Sequence, residues 1–124
     1  MGTEFQNRVG RTGEQLAAEH LQRLGFRIVE RNYRTRWGEL DVIGFDGRTL
    51  VFCEVKTRRR GGSAGSPFDA VGPAKQAQVR RIAARWLADR ADRPYAETLR
   101  FDAIGITIDG GGRLLALEHL EGAF

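Results

Sequence analysis

Charged side chains interrupt two apolar stretches in the first half of the chain, Glu39 and Asp41 in one, Glu54 and Lys56 in the other. Carboxylates that converge on one point repel each other, so they need a compensating cation. That cation could be Lys56, a nearby arginine or a hard divalent metal such as Mg²⁺, which prefers carboxylate, carbonyl and water oxygens. Such a metal would stabilise charge on a phosphate and lower the pKa of an attacking water. The lysine could orient that water or neutralise developing negative charge.

The two stretches are predicted to form a β-hairpin. Residues 39–45 and 49–57 are predicted strands, joined through Asp46-Gly47. Asp-Gly between two apolar runs is a strong hairpin signal. With a two-residue loop Phe45 pairs with Arg48, and each further pair follows by counting along both strands.

This register predicts which side chains share a face of the sheet. It sets Asp41 opposite Phe52 and Glu39 opposite Glu54, and side chains opposite each other share a face. Lys56 follows on the same face, two residues after Glu54. Asp41 and Glu54 become diagonal neighbours, roughly 7–8 Å apart at the backbone. The hairpin therefore predicts that all four charged side chains project from one side.

A helix is predicted over residues 12–24, with Thr12 as its N-cap and Gly25 ending it. Stepping back along its apolar stripe from Ala17 leads to Glu14. A carboxylate therefore lies on the inward stripe, at the end where the helix dipole favours negative charge.

The remaining elements define the fold class. Further strands are predicted over residues 26–30, 99–108 and 114–120, and a second helix over residues 74–89. The order α-β-β-β-α-β-β predicts an α/β fold in which a mixed β-sheet is flanked by helices. Residues 1–11 are expected to be a flexible lead-in, and residues 12–124 a single domain, because a chain of 124 residues fits one core.

The charge balance is compatible with polyanionic partners and also with a merely soluble basic protein. The net charge is +4, with an isoelectric point near 10.0, which favours nucleic acid as a partner. Every basic residue except Lys56 and Lys75 is an arginine. A lysine kept against this bias suggests a need for a compact ammonium rather than a planar guanidinium.

Composition also argues against several classes of protein. The single cysteine, Cys53, leaves no intramolecular disulfide. His20 and His119 lie far apart in the sequence, which argues against a clustered zinc site. Without a signal-peptide core or an apolar run of membrane length, we expect a cytoplasmic protein that does not bind membranes.

An ordered series of motifs is similar to that of known proteins. It comprises Gly13-Glu14, Arg31-Asn32, Gly38-Glu39-Leu40-Asp41, Glu54-Val55-Lys56-Thr57-Arg58, Lys75 and Arg100-Phe101-Asp102. Over nearly its whole length the chain resembles the YraN-like bacterial family. The spacing of the acidic residues and lysine resembles that of Holliday-junction resolvases in the PD-(D/E)xK nuclease superfamily.

The resemblance implies a restriction-endonuclease-like fold and a metal-dependent endonuclease that hydrolyses phosphodiester bonds in DNA, branched or repair intermediates among them. Asp41 and Glu54 would hold Mg²⁺ or Mn²⁺, Lys56 would be the catalytic lysine, and Glu14 would complete the site. The resolvase likeness also implies a homodimer. The chain departs from the superfamily pattern in lacking a proline before Asp41 and in having Cys53 where an aliphatic residue is usual. The cysteine is expected to face the core.

Basic residues near this site have two interpretations. Arg58, Arg59 and Arg60 directly follow it and are expected to contact phosphates, although arginines at a strand end are often merely solvated. Lys75 and Gln78 lie on the second helix, where phosphate contact and simple solvation are both open.

For the other candidate site residues, an ordinary structural role is the alternative to a functional one. Glu39 belongs to the site or pairs with an arginine, and Glu14 belongs to it or merely caps its helix. Asp102 is expected to be structural, paired with an arginine. Tyr33 and Trp37 lie among arginines and could stack on unpaired bases, or pack in the core or at a sheet edge.

Two other functions compete with the endonuclease. A non-cleaving module with a nuclease fold could bind nucleic acid through its basic loop and helix. Residues 61–65 match the G-x-S-x-G pattern of serine hydrolases, but that motif needs a preceding strand and a following helix. Here arginines precede it and Ser66-Pro67 follows, so we predict a loop.

Overall fold

The computed structural model describes residues 2–61 and 72–124, apart from the side chains of residues 2–8 and 10. Within these ranges two helices and five strands follow each other in the predicted order. They are α1 (Gly2–Arg23), β1 (Arg27–Thr35), β2 (Gly38–Phe45), β3 (Thr49–Arg59), α2 (Pro73–Asp89), β4 (Thr98–Ile108) and β5 (Leu114–Leu120). The α-β-β-β-α-β-β prediction is confirmed.

The strands form one mixed sheet in the order β1-β2-β3-β4-β5. Neighbours are antiparallel except β3 and β4, which are parallel. The chain passes between these two by way of α2, the crossover that a parallel pair requires. This arrangement confirms the predicted α/β class and is consistent with a restriction-endonuclease-like fold.

Each helix covers an apolar layer on the sheet. Alternation along β3 divides its side chains, with Val51 and Cys53 in the layer under α1 and Leu50 and Phe52 in the layer that contains Trp86 of α2. Cys53 is fully buried, as expected. Among the described residues, neither helix combines the length and the apolar character that crossing a bilayer demands.

Helix α1 begins at Gly2, so the N-cap predicted at Thr12 is wrong and the expected lead-in forms the first half of the helix. The apolar stripe continues upstream through Gly13 and Val9, and Val9 packs against the core. Gly13 lies so close to β3 that a Cβ there would be 1.7 Å from Thr57 Oγ1. Absence of a side chain thus lets the helix contact the sheet.

Strand β1 is longer than predicted, because it continues from residue 30 to Thr35. Its second half includes the basic residues after position 30, for which the sequence predicted no helix or strand. Tyr33 in this half is buried in the layer under α2. The other strands and α2 end within two residues of their predicted bounds.

The register of the β2–β3 hairpin differs by two residues from the prediction. Phe45 pairs with Leu50 rather than with Arg48. The loop is longer because Asp46 Oδ1 accepts hydrogen bonds from the backbone N–H groups of Arg48 and Thr49, at 2.9 and 2.7 Å. Asparagine and aspartate side chains stabilise turns in this way. A shift of two changes the partners of each residue and preserves its face.

Candidate metal centre

Three carboxylates meet between α1 and the first half of β2. Glu14 comes from the helix, and Glu39 and Asp41 come from the strand. One oxygen from each lies within 4.8 Å of the others, and among the side chains that the structure describes this is the only such group of three potential metal ligands. We call it the acidic cluster. Asp41 is 6% exposed, whereas the Glu39 side chain is 42% exposed.

A break in strand alternation turns Asp41 toward α1. Leu40 belongs to the layer under α2, but Val42, two residues later, belongs to the layer under α1. The neighbouring strand has a matching irregularity at Asn32, whose φ of 55° lies in the left-handed region that asparagine tolerates. In the amide orientation that its neighbours require, the Asn32 Nδ2 donates to Glu14 Oε2 at 2.8 Å. Asn32 therefore links the irregular strand to the cluster.

Burial and mutual repulsion raise the proton affinity of the cluster. Burial raises the pKa of Asp41 to about 7, with further contributions from Glu14, Glu39 and Glu54. The backbone N–H of Val55 opposes this effect by donating to Asp41 Oδ2 at 2.6 Å. The pKa of Glu14 is also raised, first by burial and then by Glu39. A divalent cation would relieve both effects by neutralising the carboxylates.

Glu54 lies near this cluster but points elsewhere. Its Oε1 is 2.6 Å from Lys75 Nζ of α2, and both side chains are 26% exposed. The prediction that Asp41 and Glu54 project from one face is therefore wrong, because alternation along β2 breaks at Asp41. The β2–β3 ladder ends at the pair Val42–Cys53. Asp41 and Glu54 thus lie just beyond the end of this ladder. Glu54 is close enough to raise the pKa of Asp41.

The other basic candidates on β3 lie beyond Glu54. Lys56 is exposed, two residues along the strand. Arg58 Nε donates to Thr107 Oγ1 of β4 at 3.2 Å. Arg59 and Arg60 are exposed at the end of β3. The structure thus places the three arginines together at one end of the strand, and their contact with phosphates stays a prediction.

Both candidates on α2 have partners within the protein. Lys75 pairs with Glu54, and Gln78 Nε2 donates to the carbonyl of Trp37. Gln78 also packs on Gly38, whose φ of 131° suits only glycine. Gln78 therefore anchors the β1–β2 turn, a contact that its sequence position did not indicate. The G-x-S-x-G segment lies outside the described residues after Gly61.

Comparison with known proteins identifies the family. The profile described as "Uncharacterised protein family UPF0102" matches residues 13–106, a range that includes the whole acidic cluster. The chain belongs to UPF0102.

Its relatives match over nearly their full length. A UPF0102 protein of Frankia casuarinae is 48% identical over 117 residues, which cover 94% of this chain and 95% of the relative. One from Frankia alni is 44% identical over 124 residues, covering all of both chains. One from Geobacter sulfurreducens is 44% identical over 123 residues, covering 99% and 93%. The expected family membership is confirmed, and these names specify no activity.

The UPF0102 chain also contains a buried polar network, of which the sequence indicated only the pairing of Asp102 with an arginine. Asp102 is fully buried and accepts hydrogen bonds from Arg100, as the expected arginine partner, and from the backbone N–H of Gly122. His119 Nε2 lies 2.7 Å from Asp102 Oδ2, and His119 Nδ1 lies 2.9 Å from His20 Nε2. The two histidines, far apart in sequence, are therefore in contact. This network ties β5 to β4 and α1.

Proposed function

We propose that this UPF0102 protein is a metal-dependent endonuclease that hydrolyses phosphodiester bonds in DNA. The observation that carries the proposal is the acidic cluster, in which a nearly buried Asp41 has a pKa of about 7 beside two further carboxylates. Perturbed titratable groups are frequent at functional sites. The motif series supports the same conclusion through its resemblance to PD-(D/E)xK nucleases, resolvases among them.

The donor atoms suit Mg²⁺ or Mn²⁺. All three residues of the acidic cluster offer carboxylate oxygens. Mg²⁺ and Mn²⁺ are hard ions that prefer oxygen ligands. A spacing of up to 4.8 Å between the oxygens is slightly wider than the roughly 4.2 Å across an octahedral Mg²⁺ site. Asp41 would hold the ion, with Glu14 or Glu39 beside it. Glu54 would join by leaving Lys75, since the acid already lies close enough to affect Asp41.

The side chains around the ion have distinct roles in this proposal. The metal would supply charge stabilisation at the phosphate and a water of lowered pKa. Lys56 would orient the attacking water or neutralise developing charge. Arg58, Arg59 and Arg60 would hold flanking phosphates and position the strand without reading its sequence. Lys75, once released by Glu54, would contact phosphate in the same way.

Cleavage assays with matched variants test the proposal. Wild-type protein should cut labelled branched, duplex or single-stranded DNA when Mg²⁺ or Mn²⁺ is added and should be inactive in chelator. Glu54→Ala and Lys56→Ala should lose cleavage by at least about a hundredfold, which is typical for groups that act at the reacting centre. Glu97→Gln, at an exposed ion pair with Arg48, is the control. Equal cutting by all variants would contradict the proposal.

A non-cleaving nucleic-acid-binding module is the second candidate. The observation that favours it is the ion pair between Glu54 and Lys75, which occupies one proposed ligand. Binding that persists in Asp41→Asn, together with no cleavage at any concentration of Mg²⁺ or Mn²⁺, would support this alternative.

Two further parts of the proposal come from the sequence and the resemblance. We infer a homodimer from the resolvase likeness, and light scattering of the purified protein measures it directly. A cytoplasmic location remains a prediction, which fractionation of cells expressing the tagged chain can test.

A further inference from the structure

A cavity lies beside the β1–β2 turn, opposite the end of α2. Its volume is about 470 Å³, and the residues that line it include Arg34, Arg36, Trp37 and Arg85. Clefts that bind small organic groups measure roughly 300–1,000 Å³. The cavity therefore has the size for a nucleotide-sized group and a lining of aromatic and guanidinium side chains.

Trp37 is partly buried against the layer under α2, as one of its two expected roles, and also forms an aromatic surface of this cavity. The guanidinium of Arg36 lies 4.8 Å from the centroid of its ring, and that of Arg81 lies 5.7 Å away. Such arginine–indole assemblies present flat faces on which nucleic-acid bases stack. Tyr33 does not share this role, because the residue is buried, with 9% of its surface exposed, and its hydroxyl donates to Asp89 Oδ2.

The turn that carries Trp37 is held in place on both sides. The backbone N–H of Trp37 donates to Thr35 Oγ1 at 3.1 Å, and the backbone carbonyl of Trp37 accepts from Gln78 Nε2. A preorganised surface loses less entropy on binding than a mobile one. The indole is thus fixed before any ligand arrives.

The charge of the cavity suits a phosphate-linked ligand. Asp89 accepts hydrogen bonds from Tyr33 and from Arg85 Nε, so its charge is compensated. The guanidinium groups of Arg36 and Arg81 contact the indole ring of Trp37, and Arg36 is exposed. The balance is positive, which favours a polyanion.

Arg34 connects the cavity with the acidic cluster. It lines the cavity, and its Nε lies 3.1 Å from Glu39 Oε2. Arg34 and Glu39 are also direct partners in the β1–β2 ladder. A group seated in the cavity therefore lies one ion pair away from the carboxylates.

We propose that the cavity beside Trp37 binds the base of an unpaired nucleotide, so that the substrates of this chain contain single-stranded nucleotides next to the phosphate at the acidic cluster. The inference rests on the proposed function and names its substrate class. A base within a duplex is stacked on both sides and must leave the stack before it can enter such a cavity. A flap, gap or branch point offers that base without the cost of unstacking.

Binding in chelator tests this inference without cleavage. Fluorescence anisotropy should compare a forked DNA with unpaired arms and a fully paired duplex with the same number of phosphates. Arg36→Ala lies at an exposed turn and should leave the fold intact, while Trp37→Leu removes the ring. Each should weaken binding of the forked DNA by about tenfold, in line with stacking on one base. Binding of the duplex should change less than twofold.

The control and the outcomes separate this inference from the proposed function. Tyr95→Leu removes an aromatic ring that is 84% exposed and does not line the cavity, so it should alter neither affinity. Equal losses on both DNAs, or none, would overturn the inference. Wild-type protein that cuts duplex and forked DNA equally well in Mn²⁺ would retain the nuclease and refute the preference. Failure to bind any DNA, in chelator and with Mn²⁺ alike, would refute both.

A second readout comes from tryptophan fluorescence. Trp86 is buried, with 1% of its surface exposed, so quenching by added oligonucleotide reports on Trp37. Single-stranded DNA should quench the wild type and leave Trp37→Leu unchanged. Equal quenching in both proteins would place the stacked base elsewhere and overturn the inference.

Discussion

Replacing Asp41 with asparagine should stabilise the metal-free protein at alkaline pH, although it removes a proposed metal ligand. Asp41 is almost buried, and its pKa of about 7 means that ionising it opposes folding. Asparagine has nearly the same shape. Its oxygen can accept the hydrogen bond from Val55, and its amide can donate to Glu14 or Glu39, whose oxygens lie within 4.8 Å of Asp41.

The magnitude follows from the two proton affinities. The ordinary pKa of 3.8 rises to about 7 in the folded protein. Because each tenfold change in proton affinity is worth about 1.4 kcal/mol, the ionised group costs about 4 kcal/mol of stability. The stability that the protonated group contributes is fully present below pH 3.8 and is lost as the pH rises through 7. Asp41→Asn has no ionisable group at this position, so it does not lose this stability as the pH rises.

Thermal and urea unfolding in chelator measure the effect. At pH 8 Asp41→Asn should unfold at a temperature higher by on the order of 10 °C, and at pH 4 the two proteins should nearly coincide. With metal at a hundred times its dissociation constant, the wild type should gain about 2.7 kcal/mol and the variant almost none. Glu97→Gln, at an exposed ion pair, should behave as wild type. A variant that is less stable at pH 8, or a pH-independent difference, would refute the reasoning.

Substitutions at three further positions test neighbouring contacts. Lys75→Met should raise Mn²⁺ affinity several-fold in calorimetry, because it frees Glu54 from its ion pair. Gly13→Ala should lower the free energy of unfolding by about 1–3 kcal/mol, since the new Cβ would clash with Thr57. Asn32→Ala should be less stable than Asn32→Gly by about 1–2 kcal/mol in urea, because glycine adopts the positive φ without strain.

Each of these expectations has a control or a contrary result. Arg85→Met removes a cation from the other end of α2 and should leave Mn²⁺ affinity unchanged. Gln15→Ala, on the exposed side of α1, should cost little in comparison with Gly13→Ala. If Asn32→Ala proved as stable as Asn32→Gly, the left-handed conformation at this position would not be required.

The order of the helices and strands could be predicted from the sequence, because each element has a local pattern of apolar and turn residues. Alternation along β3 correctly placed Cys53 in the core and Phe52 on the opposite face. The register of the β2–β3 hairpin could not be predicted from local patterns in this way. It depends on Asp46, whose side chain holds a longer loop than the Asp-Gly pair alone suggests. Turn residues identify a hairpin more reliably than they specify its length.

The composition of the acidic cluster was only partly predictable. Simple alternation put Asp41 beside Glu54, but side-chain alternation breaks between Leu40 and Val42, and Asp41 lies with Glu14 of α1. No periodicity in the sequence announces such a break, because side chains alternate between the two faces only while the strand stays regular. Glu14 was found because it lies on the inward stripe of its helix. The contact between His20 and His119 spans 99 residues, beyond any local pattern.

Electron paramagnetic resonance of Mn²⁺ titrated with protein measures metal at the acidic cluster most directly, since bound ions leave the free-ion signal. The wild type and Glu97→Gln should each bind Mn²⁺ at a site that Asp41→Asn loses, and Mg²⁺ should compete for it. Absence of binding in the wild type, or equal binding in Asp41→Asn, would contradict a metal centre at these carboxylates and with it the proposed endonuclease.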